Sequence, residues 1–273
     1  MNKRVLPGVA AALAAVGLAA GLWVGRAGAY AHTAPDYRQV DLAGVVARAE
    51  AGRVDYPLLF AQTGLGRAAV DALLARGQGQ ALFDYQAQYF APCRWRTVTG
   101  VAMVRLEVTD GGFLFAPLEK GDILLTPSSR CGGWRNGHAG LVLDPEAGLV
   151  LEAYSLGAKS RVGRLEEWRN KPALAVVRPA GLDAGQRAAM ADWAAQNLEG
   201  LPYSLFAGLP VADETARVKA TQCAHLVWCA CAVFGQDVDG GAGWPVTPRD
   251  LALSPLLETV QVWGLPQGAR WPS

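Results

Sequence analysis

Between residues 101 and 180 the chain is cut into short aliphatic runs, VAMVRLEV, GDILLT, HAGLVLD, GLVLEAY and ALAVVRP, each too short to make a stable helix. The breaks between them are turn-formers: Asp110-Gly111-Gly112, Cys131-Gly132-Gly133 and Asp144-Pro145. Runs punctuated in this way read as strands, and the close spacing of HAGLVLD and GLVLEAY reads as a hairpin. The pattern then changes. AGQRAAMADWAAQNL is patterned as a helix starting near Asp183, LPYSLFAGLP is irregular, TQCAHLVWCACAVFG is an apolar helix running to about Phe234, and TVQVWG is a last strand. Strands, then helices, then a strand specify an α+β fold with a mainly antiparallel sheet packed against helices. With 51% of its 273 residues hydrophobic, the chain buries a substantial core without disulfide staples.

Upstream, VDLAGVVARAE, DYPLLFAQ and GRAAVDALLARG carry apolar residues at helical spacing, with breaks near Gly52 and Gly64. The chain therefore divides into an N-terminal segment (1–31), a helical region (32–100) and a strand-rich domain (101–273). The helical region is expected either to cover one side of the main domain or to cap its site. Residues 1–31 have the layout of an export signal: Lys3 and Arg4, then uncharged residues 5–25, then Ala29 and Ala31 before a cleavage point. The same uncharged stretch is long enough to span a bilayer and attach the protein to a membrane. Either way the remainder is expected outside the cytoplasm.

A net charge of +1, from 25 basic and 24 acidic residues, offers no field that would steer the protein to nucleic acid. A monomer is expected. Five cysteines in an exported chain cannot all pair. Cys93 and Cys131 lie in polar contexts and are candidates for a disulfide, Cys229 and Cys231 fall in the apolar part of a helix and read as core, and Cys223 is left over.

Cys223 stands where a polar turn becomes a helix, and a helix amino end favours the thiolate. His138 starts an apolar strand between Gly137 and Gly140, on a polar turn with Trp134 and Asn136. Glu152, in the partner strand of that hairpin, is a carboxylate in an apolar run and needs a paired group, which an imidazole supplies. Nucleophile, base and orienting acceptor need meet only in space. His225, two positions along the helix from Cys223, is turned roughly 200° away and is set aside as the base.

The ordered motifs GDILLT, GHAGLVLD, VLEAY and QCAHLVW, over residues 115 to 235, resemble those of the circularly permuted papain-like cysteine amidases, relatives of the NlpC-type cell-wall peptidases. The resemblance implies a permuted papain-like fold, with Cys223 as nucleophile, His138 as base and Glu152 as the residue that orients it. It also implies Tyr203 as a substrate contact; Trp134, on a polar turn suited to a cleft rim, and Gln222, beside Cys223, are the other candidate substrate contacts. Ala224 and His225 depart from the Ser-Glu common after the family's cysteine. The implied chemistry is acyl transfer through a thioacyl intermediate, without metal or organic cofactor, on a cell-envelope peptide or an N-acyl substrate. Two other readings use the same residues. One is a non-catalytic envelope-binding module. The other is a zinc site from Cys223, Cys229, Cys231 and a histidine, which the helical C-x-C spacing disfavours because it directs the thiols apart.

Overall fold

The computed structural model describes residues 28–100, 103–131, 134–207, 218–241 and 245–273. The export signal or anchor read from residues 1–31 therefore lies almost wholly outside the described residues. Among the described residues no helix is long and apolar enough to cross a membrane.

Four helices come first: α1 Ala43–Glu50, α2 Tyr56–Thr63, α3 Arg67–Ala75 and α4 Ala81–Phe90. Strands β1 Trp95–Thr99, β2 Met103–Val108, β3 Ile123–Thr126, β4 Ser129–Cys131, β5 His138–Asp144, β6 Leu149–Glu152 and β7 Arg161–Arg164 follow. Then come α5 Leu165–Arg169, β8 Leu174–Pro179, α6 Ala184–Leu198, α7 Cys223–Val233, α8 Pro248–Leu253 and β9 Leu257–Trp263. The main sheet has six strands in the order β7-β6-β5-β3-β8-β9, and a smaller one has the order β1-β2-β4. Every pairing within these two sheets is antiparallel. This is the expected α+β architecture.

Alternate residues of the main sheet feed two separate cores, as the two-residue period of a strand requires. Ile123, Leu125, Leu141, Leu151 and Val177 pack under α6 and α7, with Met190, Ala194, Leu226 and Val227. Leu124, Val142, Val150, Leu174, Val176 and Val260 pack on the other face, against Leu42, Leu59, Val70, Leu82 and Tyr89 of the helical region. Those N-terminal helices therefore form the third layer of a helix–sheet–helix stack. The backbone at residues 64–66 also docks onto β9, through Gly66 N to Val260 O at 2.8 Å and Val262 N to Gly64 O at 2.8 Å. Only glycine allows that approach: a Cβ at Gly66 would fall 1.8 Å from Thr259 O.

The GD pair that opens β3 is structural. Asp122 is fully buried and takes a two-pronged grip from Arg178 of β8, Nε to Oδ1 at 2.7 Å and Nη2 to Oδ2 at 2.9 Å. One boundary differs from the sequence reading. The helical region ends at Phe90, and β1 pairs with β2 across the expected division at residue 100, from Trp95↔Val108 to Thr99↔Val104. WRTVT concealed this because it is almost wholly exposed and has no apolar face to betray its period. The same register separates Cys93 from Cys131. Cys93 precedes Trp95 at one end of the ribbon and Cys131 pairs with Met103 at the other, on the order of 20 Å away at strand rise, beyond disulfide reach. Both cysteines are free.

Candidate active site

Helix α7 begins at Cys223, its amino end held by Gln222 in an extended conformation with φ −132 and ψ 173. The Gln222 side chain accepts from Ala224 N at 2.8 Å and donates through Nε2 to Val246 O at 2.6 Å, latching the helix start to the segment before α8. Cys223 Sγ lies 3.5 Å from Gln222 Oε1. Its own backbone N–H meets no acceptor among the described residues, as is usual in a first helical turn.

His138 opens β5 opposite Thr126 of β3. Gly137 before it has φ +67, and a Cβ there would fall 2.3 Å from the Trp271 ring, so glycine fixes how the chain enters the strand. Glu152 ends β6 with Gly140 as its register partner, and its carboxylate reaches back along β5 to the imidazole. Nε2 of His138 and Oε2 of Glu152 are 2.9 Å apart. The Cys223 thiol is near enough to the same ring to act on its basicity. Glu152 Oε1 accepts from Arg161 Nη2 at 3.0 Å across the β6–β7 pairing. Trp168 stacks on the imidazole and Tyr154 meets it edge-on, each with ring centroids 5.1 Å away. The structure thus brings Cys223, His138 and Glu152 into one buried chain, respectively 3%, 5% and 2% exposed.

Burial by itself lowers the basicity of His138, but the hydrogen bonds and charges of Cys223 and Glu152 outweigh it and raise the imidazole to about 9. Burial pushes Glu152 up, whereas His138, Arg161 and Lys171 together hold it below the usual carboxylate range. The ring therefore keeps a proton and Glu152 keeps its charge at neutral pH. Tyr203 is raised by burial first, and further by the neighbouring Cys223 and Cys131, so it remains a neutral phenol.

A small cleft of about 90 Å³ gives access to Cys223, lined also by Asn136, Tyr203, Leu205, Gln222, Pro245, Val246, Thr247 and Pro248. Asn136 Oδ1 is buried there without a hydrogen-bond partner among the described residues. A larger cavity of about 540 Å³, beside the β5–β6 turn and α5, has no cysteine or histidine in its walls.

Tyr203 and Gln222 line this cleft as expected, but Trp134 does not. Trp134 closes a tight turn with Cys131 and is 59% exposed, leaving Asn136 to face Cys223. Among the described tryptophans, Trp168 is buried beside His138, Trp263 belongs to the second core and Trp228 donates to Asp237. His225 is engaged elsewhere, 3.1 Å from Thr221 Oγ1 and 3.4 Å from Cys229 Sγ. Cys229 and Cys231 are core residues. Among the described residues no group of three or more His, Cys, Asp or Glu side chains is arranged to hold a metal ion. Sequence reasoning missed Arg161, Tyr154 and Trp168 around His138 and Glu152. Recognising β7 would have exposed the first, since Arg161 is the cross-strand partner of Glu152.

No protein-family model matches the chain, and no curated protein is similar enough to count as a relative. Among solved structures, metalloprotein yiiX from Escherichia coli O157:H7, DUF1105, is similar at 21% identity and TM-score 0.40, over 53% of this chain and 98% of that one. So slight a likeness assigns this chain neither a metal nor an activity.

Proposed function

We propose that the protein is a cysteine hydrolase of the permuted papain-like kind, working outside the cytoplasm on an amide bond of a cell-envelope peptide. The observation that carries this reading is the buried chain from Cys223 through His138 to Glu152 at a helix amino end beside an accessible cleft. The proton that the thiol gives up rests on His138 and Cys223 Sγ attacks the carbonyl, while the free Cys223 N–H is available to the developing oxyanion. His138 then returns the proton to the leaving amine. Water, losing a proton to the same ring, attacks the thioacyl carbonyl, and the acid departs as the thiol reforms. Glu152 accepts a hydrogen bond from Nε2 throughout and keeps Nδ1 facing sulfur.

A second reading, a lipid amidase or an acyltransferase on an N-acyl substrate, is favoured by the apolar wall of Leu205, Pro245, Val246 and Pro248 and by the exposed Phe206 next to it. Incubating wild type and Cys223→Ala with stem-peptide fragments and with N-acyl amides, then reading intact mass, separates the two. An adduct in wild type but not in C223A supports the hydrolase, and its mass identifies the acyl group. No adduct, together with a Cys223 inert to iodoacetamide in the folded, reduced protein, would overturn it in favour of a binding module.

A further inference from the structure

Beside Arg161 and Tyr154, which touch Glu152 and His138 respectively, lies a cavity of about 290 Å³ walled also by Arg105, Glu107, Glu167, Asn170 and Lys171. Its two arginines are committed. Arg105 donates to Glu107 at 2.7 Å and to the Tyr154 hydroxyl at 3.2 Å, and Arg161 donates to Glu152 at 3.0 Å and to Glu167 at 3.2 Å. Lys171 is not: it is 7% exposed, yet among the described residues its ammonium makes no hydrogen bond and no ion pair. Tyr154 accepts from Arg105, and its own hydroxyl proton likewise has no acceptor. A buried ammonium without a partner is costly unless something meets it. Glu107, Glu167 and the adjoining Glu152 balance the three cations in charge, but none of the three carboxylates lies within ion-pair distance of the Lys171 ammonium.

We propose that this cavity is a binding site for a small carboxylate, one oxygen taken by the Lys171 ammonium and the other by the Tyr154 hydroxyl. One unpaired ammonium and one unspent hydroxyl proton suit a monoanion with two oxygens. A phosphate dianion would bring a second negative charge beside Glu107 and Glu167. The site does not touch Cys223, so it stands or falls independently of the hydrolase reading.

The test is titration calorimetry at fixed ionic strength on wild type, Cys223→Ala, Lys171→Met and Tyr154→Phe. The probes are N-acetylglutamate and a tetrapeptide with a free terminal carboxylate, each against its amide-capped counterpart, and inorganic phosphate. Wild type and C223A are expected to bind a free carboxylate saturably with one-to-one stoichiometry and to ignore the capped form. K171M should bind at least tenfold more weakly and Y154F several-fold more weakly. Whichever probe binds identifies the source, free acid or peptide end. K171M removes a buried ammonium that makes no hydrogen bond, and its thermal midpoint is read alongside to show that the variant is folded. Y154F leaves every charge in place and serves as the second variant. No saturable binding, a preference for phosphate, or unchanged affinity in both variants would overturn the proposal.

Discussion

Glu152 and His138 are a titratable pair whose two members are displaced in opposite directions, and this sets a pH window. The imidazole's folded value of about 9 stands above its ordinary 6.5, so its contribution to stability is complete below pH 6.5 and is lost as pH rises through 9. Glu152 is held below its ordinary 4.5, so its contribution is complete above pH 4.5 and is lost as pH falls through that lowered value. The wild-type thermal midpoint should therefore be highest between pH 4.5 and 6.5 and decline towards pH 9.5, and in Glu152→Gln the alkaline decline should flatten. Equal alkaline slopes in both proteins would show that the imidazole draws its proton affinity from elsewhere. At this scale the sequence was informative where chemistry conflicted with surroundings: a carboxylate in VLEAY, a histidine between glycines, a thiol where polarity stops. It was silent on Arg161, because RVGR carries two exposed arginines and no apolar period.

Helix α7 depends on one side chain at each stage of its placement. Gln222 both caps its first turn and ties it to Val246, so Gln222→Ala should cost about 1 kcal/mol of stability and slow the alkylation of Cys223 by iodoacetamide. Labelling as fast as wild type would mean that the latch does not set the thiol's position. Strand β3 is anchored differently. Asp122→Ala leaves the Arg178 guanidinium buried without its main partner and should cost about 3–5 kcal/mol in urea unfolding. Elements with strong local signals were legible: the Asp183 cap and its reciprocal Gln186 start α6 where the sequence indicates, and α7 ends at Val233, beside the expected Phe234. Strand β1 was not, since a ribbon paired along one edge and facing solvent needs no hydrophobic alternation.

The molecule is one stack rather than a strand-rich domain with an appendage. Leu65, 1% exposed, packs in the second core from the helical region. Leu65→Ala should cost about 2–5 kcal/mol and lower a single unfolding transition, seen alike by tryptophan fluorescence and far-ultraviolet circular dichroism. Two separated transitions, with only the first shifted, would make the N-terminal helices an independent unit. Composition gave no hint of this union, because helical spacing reveals that a face is apolar and not what will cover it. The docking of residues 64–66 on β9 carries a further consequence for assembly. Early sequence must wait for late sequence, so a nascent chain halted before Leu257 would already contain the thiol, the imidazole and the carboxylate yet lack the strand on which its first helices close. Such a fragment should emerge collapsed and inert. Completion of the frame, rather than synthesis of these three side chains, would then be the moment at which the cleft takes shape.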